Sequence, residues 1–205
     1  MIGIVDYGMG NLLSVYSAVD YLGATVKICT HPEELRQVDK IIIPGVGAFK
    51  DCSHKIKETG FQEVLNEVVI QKGKPALGIC LGMQIMAKKS YEDGEFEGLG
   101  WFDAEVVKLT PAEANMRVPN IGWNDVNYRK GIPLFKNLPD KPDFYLVHSY
   151  FMKTVNEADV VATYDYSQQV TAAVLKNNIF ATQFHPEKSQ DYGLRVLENF
   201  IDWNP

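Results

Sequence analysis

The chain has 205 residues, 46% of them hydrophobic and 22% charged, and its formal net charge at pH 7 is −6. This length suits one α/β domain or at most two small ones, and the composition is that of a folded globular protein rather than a disordered one. An acidic balance without basic runs argues against nucleic acid as the main partner.

Three cysteines, Cys29, Cys52 and Cys80, lie far apart in the sequence and form no CxxC pair. An odd number cannot all pair with one another, and the spacing does not predict a zinc site. We therefore expect a reduced, cytoplasmic chain. Residues 1–11 carry an acid where a signal peptide would be basic, and no apolar run approaches the ~20 residues that span a bilayer, so no membrane association is expected.

The first 90 residues alternate between strand and helix patterns. Strands are predicted at residues 2–5, 25–29, 40–43 and 75–79. Helices are predicted after a capping Asn11, from Pro32, around residues 61–69, and over residues 81–88. Helices between strands imply right-handed βαβ units and a largely parallel sheet.

The second half follows a pattern of strands separated by turns. Strands are predicted at residues 103–109, 125–128, 144–151, 160–164, 170–175 and 179–184, with a hairpin turn at 176–178. Loops are predicted at 110–119 and 129–143, and Ser189 is expected to cap a last helix that runs to about Trp203. The chain is thus predicted to be one α/β domain over residues 1–205, with a mostly parallel sheet flanked by helices and an antiparallel extension in the second half.

The sharpest local signal is Gly78-Ile79-Cys80-Leu81-Gly82, which joins a predicted strand to a predicted helix. It is the nucleophile-elbow pattern with cysteine in the place of serine. Glycines on both sides relieve the clashes of a sharp turn, and N–H groups at a helix start favour a thiolate and a developing oxyanion. The competing interpretation is a buried cysteine that only fills space where strand meets helix.

A thiol nucleophile needs a base, and the chain has four histidines. His31 and His54 are predicted at the surface. His148 is predicted to be a hydrogen-bonded histidine in the core or at its rim. His185 follows a predicted strand, and parallel-sheet sites gather at the strand ends where Cys80 also lies. Glu187, two residues further on, could hold the far ring nitrogen and complete a Cys–His–Glu triad. Taken alone, His-Pro-Glu would be interpreted as an exposed turn.

A third motif, Pro44-Gly45-Val46-Gly47, follows the third predicted strand. Its two glycines let the backbone approach a ligand closely or reorient a peptide N–H. In isolation, this segment is typical of an ordinary strand-to-helix turn.

Together, Pro-Gly-Val-Gly (44–47), Gly-Ile-Cys-Leu-Gly-Met-Gln (78–84) and Gln-Phe-His-Pro-Glu-Lys-Ser (183–189) resemble the class I, or triad, glutamine amidotransferases over essentially the whole chain. Asp-Tyr-Gly-Met-Gly-Asn-Leu (6–12), Gly-Trp-Asn (122–124) and His-Ser-Tyr (148–150) resemble one branch, the glutaminase subunits of imidazole glycerol phosphate synthases. The resemblance implies a flavodoxin-like fold. It also implies an enzyme that hydrolyses L-glutamine to glutamate and ammonia through a cysteine thioester, without a cofactor or a metal.

By this resemblance, Cys80 is the nucleophile, His185 the general base and then acid, and Glu187 the orienting carboxylate. The oxyanion would rest on the N–H of Leu81 and on an N–H of the segment formed by Val46 and Gly47. The substrate's amino-acid end would be held by Gly45, Gln84, Ser149 and Tyr150.

The resemblance also implies a partner, a (β/α)8-barrel cyclase subunit that receives ammonia and makes imidazole glycerol phosphate and AICAR in histidine biosynthesis. The chain would form a heterodimer with it. Four residues would face this partner or gate the ammonia entrance: Asn11, Trp123, Tyr145 and Lys188. Trp123 and Tyr145 could equally be ordinary core or rim aromatics, and Lys188 a solvated turn lysine.

One position departs from the family pattern, because this chain has Pro119-Asn120-Ile121 where the family commonly has Pro-His. Other functions therefore stay open. One is a paralogous glutaminase subunit that supplies ammonia for amidation of a surface-polysaccharide sugar. Others are an inactive glutaminase-like scaffold and a cysteine hydrolase or peptidase that shares the elbow.

Overall fold

A computed structural model describes residues 1–113 and 116–205 of the chain. Its strands are β1 Ile2–Val5, β2 Val26–Cys29, β3 Lys40–Gly45, β4 Ala76–Cys80, β5 Ala87–Ser90, β6 Phe96–Glu97, β7 Phe102–Lys108, β8 Asn120–Asp125, β9 Asn127–Tyr128, β10 Asp143–His148, β11 Tyr150–Thr154, β12 Val160–Asp165, β13 Gln169–Lys176 and β14 Ile179–Thr182. Its α-helices are α1 Leu12–Tyr21, α2 Phe49–Glu58, α3 Phe61–Leu65, α4 Leu81–Gln84 and α5 Gln190–Asp202. A π-helical turn, Asn66–Gln71, continues α3. Short 3-10 turns cover Pro32–Arg36, Pro133–Phe135, Glu157–Asp159 and Pro186–Lys188.

The largest sheet has eight strands in the order β2-β1-β3-β4-β14-β13-β12-β9. The first five are parallel to one another, and the last three continue the sheet in antiparallel fashion. The order 2-1-3-4 is that of flavodoxin-like doubly wound sheets. The predicted fold, a mostly parallel α/β sheet with an antiparallel extension, is confirmed.

Two smaller sheets stand beside the large one. Strands β8 and β10 form an antiparallel pair, and β11-β7-β5-β6 form a four-stranded sheet. The chain passes from one small sheet to the other at Ser149, between β10 and β11. The single strand predicted over residues 144–151 is therefore two strands.

The central strands are buried on both faces, which explains their continuous apolar sequence. In β3, Ile41 and Ile43 belong to the core cluster that also contains buried residues of α2 and α3. Ile42, between them, belongs to the opposite cluster, which contains buried residues of α1 and α5. Helices on both faces leave the carboxyl edge of the sheet as the place where a site can open.

Two predicted boundaries at that edge were wrong. Strand β3 runs through Pro44 and Gly45 because its register with β4 continues as far as the pair Gly45 and Cys80. The helix predicted over 81–88 ends at Gln84. It ends there because the carbonyls of Ile85 and Met86 accept hydrogen bonds from the distant segment 99–102 instead of continuing the helix.

Helix α2 was not predicted, although Phe49, Cys52 and Ile56 recur at helical spacing and are buried. The two predicted cap residues stand at N-cap positions, but neither side chain bonds its own helix start. The loop predicted over 110–119 includes residues 114–115, which lie outside the described residues. Within the described ranges, no helix is both long and apolar enough to cross a bilayer.

Candidate active site

Cys80 sits on a strained turn between β4 and α4. Its backbone has φ 55° and ψ −110°, a conformation that non-glycine residues rarely adopt. The turn is also crowded, because a Cβ on Gly82 would lie 1.8 Å from the carbonyl oxygen of Ile43. The predicted elbow therefore requires glycine after the cysteine. The turn holds the thiol at the carboxyl end of β4. Strained backbone conformations of this kind cluster at functional sites.

A cavity of about 280 Å³ opens at this turn and brings the separate motifs together. The predicted site residues that line it are Val46, Gly47, Cys80, Leu81, Gln84, Ser149, Tyr150 and His185. Gly45 does not line it, but pairs with Cys80 across the sheet. His148 and Glu92 also line the cavity, and sequence reasoning had assigned neither of them to the site.

His185 and Glu187 form a buried pair. Nδ1 of His185 lies 2.9 Å from Oε1 of Glu187, and both side chains are almost fully excluded from solvent. The other ring nitrogen, Nε2, is buried without a hydrogen-bond partner among the described residues. Since His185 and Cys80 line the same cavity, this free nitrogen is the one available to the thiol.

The protonation of His185 depends on its two neighbours. Burial alone would lower the pKa of the imidazole, but the Cys80 sulfur and the Glu187 carboxylate favour the cation and together raise the pKa of His185. The cavity can therefore hold an imidazolium beside a thiolate. A charged pair of this kind is the reactive form of a catalytic cysteine.

The segment at residues 44–47 comprises the end of β3 and the two residues that follow it, and Val46 and Gly47 line the cavity. The hydroxyl of Tyr7 donates to the carbonyl of Pro44 at 2.8 Å and fixes the start of this segment. Gly47 has φ +104°, a backbone conformation that favours glycine, while the side chain of Val46 is exposed. A Cβ at Gly47 would lie 3.0 Å from the terminal methyl of Met9, so the position also lacks room for a larger side chain.

Another part of the cavity wall is the junction between β10 and β11. The carbonyl oxygen of Tyr150 accepts from Nε2 of Gln84 at 2.8 Å. It also lies 2.9 Å from Nδ1 of His148, which donates to it. Two buried donors on one carbonyl hold the Ser149–Tyr150 backbone in place at this part of the cavity.

His148 belongs to a chain of neutral polar groups, as expected of a hydrogen-bonded histidine. The hydroxyl of Tyr164 donates to Nε2 of His148 at 2.7 Å and accepts from Nδ2 of Asn120 at 3.2 Å. Burial lowers the pKa of His148 to about 4. The hydrogen bond to the Tyr150 carbonyl opposes this shift, and the charge of His185 adds a smaller lowering. Asn120, the departure from the family pattern, supplies the last donor of this chain.

Three residues predicted at a partner interface form one cluster next to His185. Trp123 and Tyr145 are paired across β8 and β10, with ring centroids 6.1 Å apart. The Lys188 ammonium lies 6.0 Å from the centroid of the Tyr145 ring, and that ring lies 6.4 Å from the His185 ring. Trp123 is 43% exposed, so the cluster reaches from the protein surface to the buried pair of His185 and Glu187. Asn11 precedes α1, which packs against the turn that contains Lys188.

The other two cysteines are packing residues. Cys29 and Cys52 are fully buried and unpaired. Burial raises the pKa of Cys29 to about 11 and that of Cys52 to about 12, so both stay thiols at neutral pH. Among the three, Cys80 alone lines a cavity with a histidine.

Two further residues near His185 and Cys80 were missed by sequence reasoning. Ser189, predicted as a helix cap, donates instead to the carbonyl of His185 at 2.6 Å and accepts from the N–H of Tyr145 at 3.0 Å. Gln183, fully buried, donates from Nε2 to the Cys80 sulfur at 3.6 Å. Both lie in the Gln-Phe-His-Pro-Glu-Lys-Ser segment, and their proximity to the histidine was the available signal.

Comparisons with known proteins show which family the chain belongs to. Residues 3–203 match the family model of the class-I glutamine amidotransferases. The subunit HisH 1 of imidazole glycerol phosphate synthase from Campylobacter jejuni strain RM1221 is 46% identical over 201 residues, covering 98% of this chain and 99% of the relative. HisH 2 from Nitrobacter winogradskyi is 44% identical over 209 residues, covering 100% of this chain and 99% of the relative.

A solved structure also shares the fold. The crystal structure of a glutamine amidotransferase superposes with a TM-score of 0.75 at 20% identity, covering 98% of this chain and 99% of that one. At this identity, the likeness concerns the fold alone. The family match spans nearly the whole sequence, and the two relatives are well above 30% identical. The chain belongs to the class-I glutamine amidotransferase family.

Proposed function

We propose that the chain is the glutaminase subunit of an imidazole glycerol phosphate synthase in histidine biosynthesis. The observation that carries the chemistry is the cavity in which Cys80, on its strained turn, meets His185, whose far nitrogen is held by Glu187. The observation that carries the pathway is the similarity to synthase subunits over their whole length. We propose that residues 1–205 act as a single glutaminase domain, and that it works in the cytoplasm, where a thiol stays reduced.

The proposed reaction uses Cys80 and His185 in each of two steps. The Cys80 thiolate attacks the side-chain amide carbon of L-glutamine, and the carbonyl electrons move to the oxygen. Protonated His185 gives its proton to the amide nitrogen, so that the C–N bond breaks, ammonia leaves and a glutamyl thioester remains. His185, now neutral, takes a proton from water as that water attacks the thioester. The C–S bond then breaks, which returns the thiolate and releases glutamate.

We assign the remaining cavity residues to charge stabilisation and binding. The oxyanion is assigned to the N–H of Leu81, directly after the nucleophile, and to the peptide at Val46 and Gly47, since these residues line the cavity beside Cys80. The positive φ of Gly47, a conformation that glycine adopts readily, suits a peptide N–H that can turn toward the substrate.

The substrate's amino-acid end is proposed to bind another part of the cavity wall. Gln84, Ser149 and Tyr150 line that wall, while Gly45 keeps β3 close behind the nucleophile. The double anchoring of the Tyr150 carbonyl supports a binding role, since a held backbone can orient a ligand without reorganising.

We further propose that ammonia passes to a (β/α)8-barrel cyclase subunit bound as a heterodimer. The cluster of Trp123, Tyr145 and Lys188 supports this, because it joins the exposed surface to His185 through successive ring and ammonium contacts. An aromatic and cationic surface beside a catalytic pair fits a gated protein contact. Asn11, ahead of α1, would extend the contact.

Sugar amidation has no observation in its favour. Both relatives described above are named as subunits of imidazole glycerol phosphate synthase. The Asn120 departure lies in the buried chain that ends at His148 and does not touch the catalytic pair. An inactive scaffold is also disfavoured, because the Cys80 cavity is open and its pair of His185 and Glu187 is assembled.

The test of this proposal is Cys80→Ala. Glutamate release from glutamine should fall by about 10⁴-fold or more, because the covalent step has no other nucleophile. The complex with the cyclase subunit should keep its reaction when ammonium salt replaces glutamine. Cys29→Ala is the matched control, since it removes a buried thiol remote from the cavity, and it should keep glutaminase activity. Turnover of glutamine by the Cys80→Ala protein would refute the assignment, and a complex that makes no imidazole glycerol phosphate from ammonia would refute the pathway.

A further inference from the structure

Gln183 is a fully buried amide in contact with the nucleophile. It follows β14 and lies two residues before His185. Its Nε2 is 3.6 Å from the Cys80 sulfur, within the distance of a hydrogen bond to sulfur. The proposed reaction described above gives this residue no role.

The orientation of the Gln183 amide is set by a second glutamine. Nε2 of Gln84 donates to Oε1 of Gln183 at 3.0 Å and to the carbonyl of Tyr150 at 2.8 Å. Because Oε1 of Gln183 already accepts from an amide, its NH2 group is the end that faces the sulfur. The contact is thus a donor directed at Cys80, fixed by a chain of two buried side chains and one backbone carbonyl.

We propose that Gln183 is a further catalytic residue, which donates an N–H to the Cys80 thiolate and stabilises this anion before attack and again as it leaves the thioester. A hydrogen bond to an anion is stronger than one to a neutral thiol, so the contact favours the ionised sulfur. The amide gives up no proton: the thiol proton moves to Nε2 of His185. Unlike an imidazole, the amide remains a donor at every pH. The catalytic part of this inference rests on the proposed glutaminase function.

Other titratable groups act on the sulfur as well. His185 and His148 line its cavity together with Glu92, and Glu187 lies behind His185. From the β3 side comes Tyr7, and the pKa of this phenol is raised by burial, then by Cys52 and by Cys80. The experiment must therefore change the amide donor while it leaves all these groups in place.

The deciding variant is Gln183→Met, which keeps the length of the side chain and removes the N–H. The full-length protein is treated with iodoacetamide at a series of pH values without glutamine, and the modified Cys80 peptide is quantified by mass spectrometry. We expect the midpoint of alkylation to move upward by about one pH unit, the scale of a hydrogen bond to a charged group. Cys29 and Cys52 do not interfere, since burial holds the pKa of each at about 11 and about 12.

Gln168→Met is the matched control. Gln168 also carries a buried Nε2, but it lies in the turn between β12 and β13 and lines two cavities of which Cys80 is not a part. Its alkylation profile should equal that of the unmodified protein. If Gln183→Met does not fold, as judged by circular dichroism, Gln183→Asn replaces it, because the shorter amide withdraws from the sulfur and should shift the midpoint in the same direction.

Two results would overturn the inference. One is an unchanged alkylation midpoint in a folded Gln183 variant, which would leave the residue only a packing role. The other is a rise in KM for glutamine with kcat unchanged, which would mean that Gln183 acts through Gln84 on substrate binding. The alkylation assay needs no glutamine, so it tests the thiolate contact separately from the proposed function. If the unmodified protein had no glutaminase activity but the Gln183 variant still shifted the alkylation midpoint, the proposed function would be refuted and the thiolate contact upheld.

Discussion

Two buried histidines line the same cavity, yet their surroundings favour opposite protonation states. The rim formed by parallel strand ends gives His185 a carboxylate on one side and a thiol on the other, and its pKa is raised. The antiparallel wall gives His148 a carbonyl and a hydroxyl, and its pKa is lowered to about 4. Both imidazoles are desolvated, so burial does not explain the difference.

The difference lies in the partners. A neutral His148 imidazole has a hydrogen-bond partner for each ring nitrogen, because Nδ1–H donates to the Tyr150 carbonyl while Nε2 accepts from the Tyr164 hydroxyl. Protonating His148 would place an N–H against a hydroxyl that already accepts from Asn120. At the other rim, Glu187 compensates the charge of an imidazolium. One cavity thus contains a histidine able to exchange protons and a histidine that holds backbone.

Within the comparison of the two histidines, the largest expected difference comes from replacing each of them with glutamine. His185→Gln should lower kcat for glutamine hydrolysis by about 10³-fold or more, since the amide cannot move a proton. His148→Gln should lower it less than about tenfold, because an amide can still donate to the Tyr150 carbonyl. Steady-state kinetics on the two variants with the partner subunit would make the measurement. Equal losses would show that the two histidines share the catalytic role.

A smaller effect is expected from Glu187→Gln. The amide keeps a hydrogen-bond acceptor at Nδ1 of His185 but removes the negative charge, so the pKa of His185 should fall and kcat should drop by about 100-fold. The pH–rate profile of the variant should shift relative to that of the unmodified enzyme. A profile and kcat like those of the unmodified protein would show that the carboxylate only positions the ring.

The smallest effect concerns stability rather than rate. The folded pKa of His148 lies near 4 and the unfolded value near 6.5, so the unfolded chain binds more protons between these values and stability falls as pH falls. We expect a loss of about 2 kcal/mol between pH 7 and pH 5 from this residue. Urea unfolding at the two pH values would measure it, with His148→Gln as the reference that lacks this term.

The sign for His185 is opposite. Its pKa is raised in the folded state, so its contribution to stability is fully present below the unfolded value and is lost as pH rises through the folded one. The unmodified protein and the His148→Gln variant both contain His185. The difference between their free energies of unfolding therefore excludes the contribution of His185. If the two proteins change equally between pH 7 and pH 5, His148 is not held neutral by the wall.

Local sequence was sufficient for the parts of the site that are local. The elbow at Cys80 was predictable because a cysteine on so sharp a turn needs glycine neighbours, and the structure explains this at Gly82 through the Ile43 carbonyl. The contact between His185 and Glu187 was predictable because the two residues lie only two positions apart. The roles assigned to these residues stay predictions until the variants are measured.

Contacts between distant segments were beyond reach of the sequence. The helix after Cys80 ends early because residues 99–102 take the carbonyls of Ile85 and Met86. The amide of Gln183 meets a sulfur 103 residues away. In both contacts the two segments are far apart in the chain, so no periodicity or motif spacing could indicate that they meet.

By itself, the sequence determined a mostly parallel α/β chain with a cysteine on a sharp turn at a strand end, and it predicted that a histidine and a glutamate activate this cysteine. It could do so because backbone strain and hydrophobic period act over a few residues. Only the tertiary structure decided which groups surround the thiol and which histidine is kept neutral. Burial and partner charge set those states, and both depend on strands that are far apart in the chain.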